Sequence, residues 1–153
     1  MFGKSKDFST AGTLVDGLPV PANTMITVCL NSEKFYIQAL IGRKKEDWPT
    51  YELTVEKVEN VQLMNQTEIE RVVEQSVPGL IIGGAALGAL GAMIGGRVHT
   101  KEKVKNHTIL AITYFSGERK QIILDVTAAV KDSERVLNHF KELKPIQTGS
   151  IQL

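Results

Sequence analysis

The chain has 153 residues, 42% hydrophobic and 23% charged, which suffices for one globular domain with its own apolar core. Its formal net charge of +1 conceals an asymmetry: 8 basic against 11 acidic residues up to Ser76, then 10 against 6 from Val77 onward. That imbalance is too mild for a general nucleic-acid binder, which needs a basic stripe to neutralise many phosphates, so no nucleic-acid partner is expected.

Met1 to Thr10 mixes Lys4, Lys6 and Asp7 with small polar residues and lacks the apolar stretch of a signal peptide. Gly12 to Leu18 is expected to add one edge strand. Thr24 to Leu30 then alternates, with Ile26, Val28 and Leu30 on one face and Thr27 and Cys29 on the other, the period of a half-buried strand. Cys29, the single cysteine, has no disulfide partner within the chain and reads as a half-buried, reduced thiol, which points to a cytoplasmic location. Asn31 to Lys34 supplies turn residues, and Phe35, Ile37, Ala39 and Ile41 resume the period of two, giving a hairpin.

Gly42 to Pro49 is a charged loop that carries the only tryptophan, Trp48. Glu46 and Asp47 dilute the field of Arg43, Lys44 and Lys45, so Trp48 is expected to cover an end of the fold rather than to engage lipid headgroups. Tyr51, Leu53 and Val55 mark a further strand, and Val58 to Met64 the next. Thr67 and Glu70 have the spacing of a capping box for a short helix with Ile69, Val72 and Val73 on one face, a stem leading into a glycine-alanine segment.

Between Gly79 and Gly96 lie 7 glycines and 4 alanines, and every other residue is Leu, Ile or Met. Glycines recur four apart as Gly79 and Gly83, Gly84 and Gly88, and Gly91 and Gly95, with Gly96 beyond. On a helix this spacing makes a smooth groove that another backbone can approach closely. Each glycine costs such a helix about 1 kcal/mol in water, so it requires tight packing or a membrane. The charge-free stretch Val77 to Gly96 would be about 30 Å long as one helix, just enough to cross a bilayer. Strands on both sides, however, belong to one fold, and a single crossing would leave them on opposite sides of the membrane. Two arrangements bring the ends back together: a short helical hairpin breaking near Ala85 to Ala89, or one helix lying flat on a surface. Arg97, Lys101, Lys103 and Lys105, with His99, come directly after it and form a candidate headgroup-binding cluster. A membrane surface at the inner face of the cell membrane and a homo-oligomer are the leading partners, and a protein partner is a further option.

Thr108 to Phe115 and Lys120 to Val126 form a second hairpin around Ser116, Gly117 and Glu118. The period then changes: Val130, Val136, Leu137, Phe140 and Leu143 share one face of an amphipathic helix that ends before Pro145.

Chemical sites are sparse. Gly91 to Val98 approaches a phosphate-binding loop but has Arg97 and Val98 where lysine and serine or threonine are required, and no dinucleotide-binding glycine pattern follows a strand. His99, His107 and His139 lack metal-ligand spacing, so no metal or other cofactor is expected. Cys29 has no neighbouring base, and Asp125 and Asp132 read as strand-end and helix-start residues, leaving no catalytic candidate.

Gly17-Leu18-Pro19-Val20-Pro21, the run Tyr51 to Val58, the glycine zipper, Ile112-Thr113-Tyr114 and the C-terminal helix together resemble bacterial pleckstrin-homology-like proteins of Firmicutes genomes and prophages. The resemblance covers nearly the whole chain. It implies a mainly β (α+β) fold: a seven-strand, partly open barrel capped by the C-terminal amphipathic helix. This single domain, 1–153, would be interrupted at about 66–106 by the glycine-zipper insertion, apolar over 77–96. It implies no activity, since a fold does not fix a function. The expected role is a non-enzymatic binding or adaptor module. The alternative is a membrane-active, pore-forming effector in a phage-related exclusion or defence function.

Overall fold

The computed structural model describes residues 7–74 and 107–144. They form seven strands, β1 (Phe8–Asp16), β2 (Met25–Leu30), β3 (Lys34–Ala39), β4 (Thr50–Thr54), β5 (Val58–Met64), β6 (Ile109–Phe115) and β7 (Arg119–Asp125), with two α-helices, α1 (Gln66–Glu74) and α2 (Val130–Leu143). The fold is mainly β. All strands belong to one antiparallel sheet in the order β4-β3-β2-β1-β7-β6-β5.

The connection between the two edge strands dictates the shape of this sheet. Laid flat, seven strands about 4.8 Å apart would put β4 and β5 roughly 29 Å from one another. Yet β4 ends at Thr54 and β5 begins at Val58, with only the 3-10 turn Val55–Lys57 between them. That much chain reaches at most about 14 Å. The sheet must therefore roll until its edges approach, as in a partly open barrel. The interior confirms the curvature, because one apolar cluster draws Leu14, Val28, Phe35, Leu53, Val61, Ile112 and Leu124 from all seven strands. Val136 and Phe140 of α2 complete it, and the Phe140 ring lies 6.0 Å from that of Phe35.

Alternation places these residues as expected. Ile26, Val28 and Leu30 of β2 pair across the hairpin with Ala39, Ile37 and Phe35 of β3, and all six are fully buried. Asn31 fixes the turn, its Oδ1 accepting the backbone N–H groups of Glu33 and Lys34 at 2.7 and 2.9 Å.

Three expectations change. The first strand is longer than Gly12 to Leu18 and is the central strand, not an edge. Its N-terminal half, Phe8 to Thr13, pairs with β2, and Thr13 to Asp16 pairs with β7 across a bulge, so β1 turns the corner of the sheet. Its inward positions include Thr10 and Gly12, small residues that admit α2; Thr10 and Ser133 bring their hydroxyl oxygens to 2.7 Å. An apolar alternation was therefore never present to be read. The cap of α1 is formed by Asn65 and Glu68, not Thr67 and Glu70. Asn65 Oδ1 accepts the Glu68 N–H, and Glu68 Oε1 accepts the Asn65 N–H, each at 2.9 Å. Trp48 is half-buried against its own loop, donating Nε1–H to Gly42 O at 3.3 Å, and does not join the core cluster.

Candidate functional site

The seven glycines of Gly79 to Gly96 and the four cations Arg97, Lys101, Lys103 and Lys105 lie outside the described residues. The points where the chain leaves β5 and enters β6 are described, and a polar network of described residues joins them.

Departure is set by α1, whose reciprocal Asn65–Glu68 cap starts the helix immediately after Met64, the last residue of β5. Return is at His107. Its backbone N–H donates to Gln66 Oε1 at 2.9 Å, so the first residue of α1 is bonded to the residue that leads into β6. Beyond that tie, β5 and β6 pair from Met64 with Ile109 to Val58 with Tyr114.

The His107 side chain extends the network. Its Nδ1 lies 2.9 Å from Asp125 Oδ2, and Asp125 Oδ1 accepts both the Thr127 N–H, at 3.0 Å, and the Thr127 hydroxyl. Thr127 Oγ1 in turn accepts the Thr108 N–H at 3.1 Å. Burial pushes the Asp125 carboxyl upward, but the two hydrogen bonds from Thr127, joined by the His107 imidazole, outweigh it and hold the group below its ordinary value. With Asp125 ionised, Nδ1 is the ring nitrogen that carries the proton, which leaves Nε2 of a neutral ring as a bare acceptor. Nε2 is buried without a hydrogen-bond partner.

An imidazole oriented by a carboxylate can serve as a base or a metal ligand, but both require its far nitrogen to be reached. Here that nitrogen is shielded. Among the described residues no three His, Cys, Asp or Glu side chains converge as metal ligands. The pair fastens the residue before β6 to the end of β7.

Strand β6 itself is buried on both faces. Leu110 and Ile112 point into the barrel, while Ile109, Ala111 and Thr113 point outward, and all five have 0% exposure. Cross-strand partners share a face, so Met64 and Gln62 of β5 and Ile123 of β7 lie on the outward side too. Met64 and Ile123 are buried, and Gln62 Oε1, like His107 Nε2, is shielded with no hydrogen-bond partner. The sequence carried this signal: Ile109 to Ile112 is an unbroken apolar run, the pattern of a strand covered on both sides, not the alternation of a half-exposed one.

A shallow cleft of about 400 Å³ lies between the β2–β3 turn (Ser32, Glu33), the β4–β5 turn (Thr54 to Glu56) and the end of α2. Its cation, Lys144, is already engaged, donating to the carbonyls of Val55 at 3.3 Å, Glu56 at 3.2 Å and Val58. Cys29 is half-buried, and burial, aided by the negative charge of Asp7, pushes its thiol upward, away from nucleophilic character. Among the described residues no helix is long and apolar enough to cross a membrane.

Comparison of the chain with protein-family models and with curated proteins gives no match.

Proposed function

We propose that the protein is a non-enzymatic binding or adaptor module: a pleckstrin-homology-like barrel that uses the glycine zipper inserted between β5 and β6 to associate with an anionic membrane surface or with copies of itself. The observation that carries this reading is the bond between Gln66 and His107 at the base of the insertion. An element that leaves and returns at one point is suited to presenting a surface, whereas a single membrane crossing would separate its ends. The charge-free glycine-alanine stretch and the cations Arg97, Lys101, Lys103 and Lys105 supply the two chemistries that an anionic bilayer rewards, apolar burial and counter-charge. The engaged state of Lys144 and the shielding of His107 favour a binding role over a catalytic one.

Flotation of the full chain with liposomes containing phosphatidylserine, alongside sedimentation of the protein alone, tests both branches. Co-flotation that weakens at high salt supports the membrane branch, and concentration-dependent assembly supports self-association. A protein that stays at the bottom and stays monomeric rejects the proposal.

A further inference from the structure

Three backbone carbonyls at the start of β5 form a cradle for one ammonium group. Lys144 Nζ donates to the oxygens of Val55 and Glu56, in the turn after β4, at 3.3 and 3.2 Å, and to that of Val58, the first residue of β5. An ammonium has three donors and no acceptor, so three carbonyls saturate it. The spacing also selects the kind of cation. Oxygen holds calcium or magnesium at about 2.0–2.6 Å, and two of the three oxygens stand beyond that reach, at the separation of an N–H donor from its acceptor.

The cradle lies in the wall of the cleft of about 400 Å³ between the β2–β3 turn, the β4–β5 turn and the end of α2, a volume in the range of small-molecule sites. Val55 and Leu143, both half-buried, offer apolar walls to a methylene stem. Glu33 and Glu56 line the same cleft with exposed carboxylates, and neither is ion-paired with a described residue. Leu143 is the last residue of α2, so the negative end of the helix dipole lies here too. Lys144 reaches the cradle on a flexible four-carbon stem and is itself half-buried, so its ammonium can leave without the barrel opening. Once out, that ammonium meets Glu33 and Glu56, and the exchange of one ammonium for another strands no charge.

We infer that this cleft is a binding site for a primary alkylammonium ligand, whose ammonium takes the carbonyls of Val55, Glu56 and Val58 in place of Lys144. In the free protein Lys144 fills the site as a stand-in for the ligand. The inference does not rest on the proposed function, since it concerns the start of β5 and the residues around it, not the chain that leaves the far end of that strand.

Chemical rescue tests it on the full chain. Lys144→Ala cuts the side chain back to Cβ, and n-propylammonium replaces the atoms removed. The amine is expected to recover, in a saturable way, at least about half of the thermal-midpoint difference between the variant and the parent protein. Tetramethylammonium at matched ionic strength, which has charge but no donor, and propanol, which has the stem but no charge, are expected to recover none. Propylammonium that does no better than tetramethylammonium overturns the inference. N-acetyl-lysine amide, run in parallel, separates two sources of the same chemistry: rescue by it as well supports a lysine side chain presented by a partner, and rescue by propylammonium alone supports a free amine. NMR of the lysine ammonium groups in the isotopically labelled parent protein gives a second reading. The Lys144 ammonium protons are expected to exchange at least about tenfold more slowly than those of exposed Lys57, and propylammonium, unlike tetramethylammonium, is expected to speed them toward the Lys57 rate. Exchange as fast as that of Lys57 from the start, or unchanged across the titration, overturns the inference. The parent reading decides the matter if Lys144→Ala does not fold.

Discussion

Thr10 of β1 and Ser133 of α2, 123 residues apart in sequence, meet inside the protein with hydroxyl oxygens 2.7 Å apart, and both residues are buried. Thr10 also donates toward Ala129 O at 3.3 Å, so one small polar pair fixes the seating of the helix on the central strand. Ser133→Ala is expected to destabilise the fold by about 1–2 kcal/mol, because it leaves the Thr10 hydroxyl short of a partner. Thr10→Val with Ser133→Ala is expected to cost less than the sum of the single changes. Urea unfolding of the four proteins of the cycle measures the coupling, and strict additivity would show that the contact contributes nothing.

The Asp125 carboxyl is held below its usual value by Thr127 and His107 against the upward push of burial, so its contribution to stability has a defined direction with pH. A carboxyl depressed on folding stabilises the protein fully above its unfolded value of 3.8, and the contribution is lost as pH falls through the lower folded value. Asp125→Asn is expected to be less stable than the parent at pH 7 by about 1–3 kcal/mol, with the gap closing as the solution is acidified below about pH 4. Denaturant titrations at pH 7, 4 and 3 check this, and a gap that is constant across the range would refute the assigned cause.

Gly17 and Gly117 both have positive φ, +113° and +78°, but differ in their surroundings. A Cβ at Gly17 would collide with the Gln121 carbonyl oxygen and come within 2.7 Å of Ile122 Cα, whereas one at Gly117 meets nothing within 4 Å. Gly117→Ala is expected to cost roughly 1 kcal/mol from backbone strain alone, and Gly17→Ala upwards of about 3 kcal/mol because β1 must also move away from β7. Thermal unfolding of the two variants ranks them. Equal midpoints would mean that the approach of β1 to β7 is soft.

Lys144 holds the end of α2 to three carbonyls around the turn that joins the edge strands. Lys144→Met retains the apolar stem and removes the donors, and is expected to lower stability by about 1 kcal/mol, a modest figure because the site is partly exposed to water. Exchange of the Val58 to Met64 amides should accelerate with it. Lys144→Arg should recover part of the loss.

The strands and the C-terminal helix were legible in the sequence wherever one face meets core and the other water. Ile26, Val28 and Leu30, and Phe35, Ile37 and Ala39, alternate because burial on one side of a strand imposes a period of two, and the burial of Val136 and Phe140 follows the helical period. Legibility failed where a different constraint chose the residues. On β1 the inward positions Thr10 and Gly12 are small to admit α2, and this removes the alternation and makes a central strand look marginal. At α1, Asn65 and Thr67 both stand before a suitable acid three residues on, and local spacing does not tell them apart; the helix starts at Gln66, with Asn65 and Glu68 as its cap. The His107–Asp125–Thr127 network could not be read from spacing, because cross-strand register brings it together across 18 residues.

The bonding of Gln66 to His107, between the end of β5 and the start of β6, has a consequence in the statistics of the chain. Because Met64 and Ile109 pair directly, the barrel registers the intervening residues as a closed loop, and the entropy of closing a loop grows only with the logarithm of its length. Doubling that length would cost the barrel about 0.6 kcal/mol, apart from any contacts the loop makes. Closure of the chain between β5 and β6 therefore sets only a weak limit on its length.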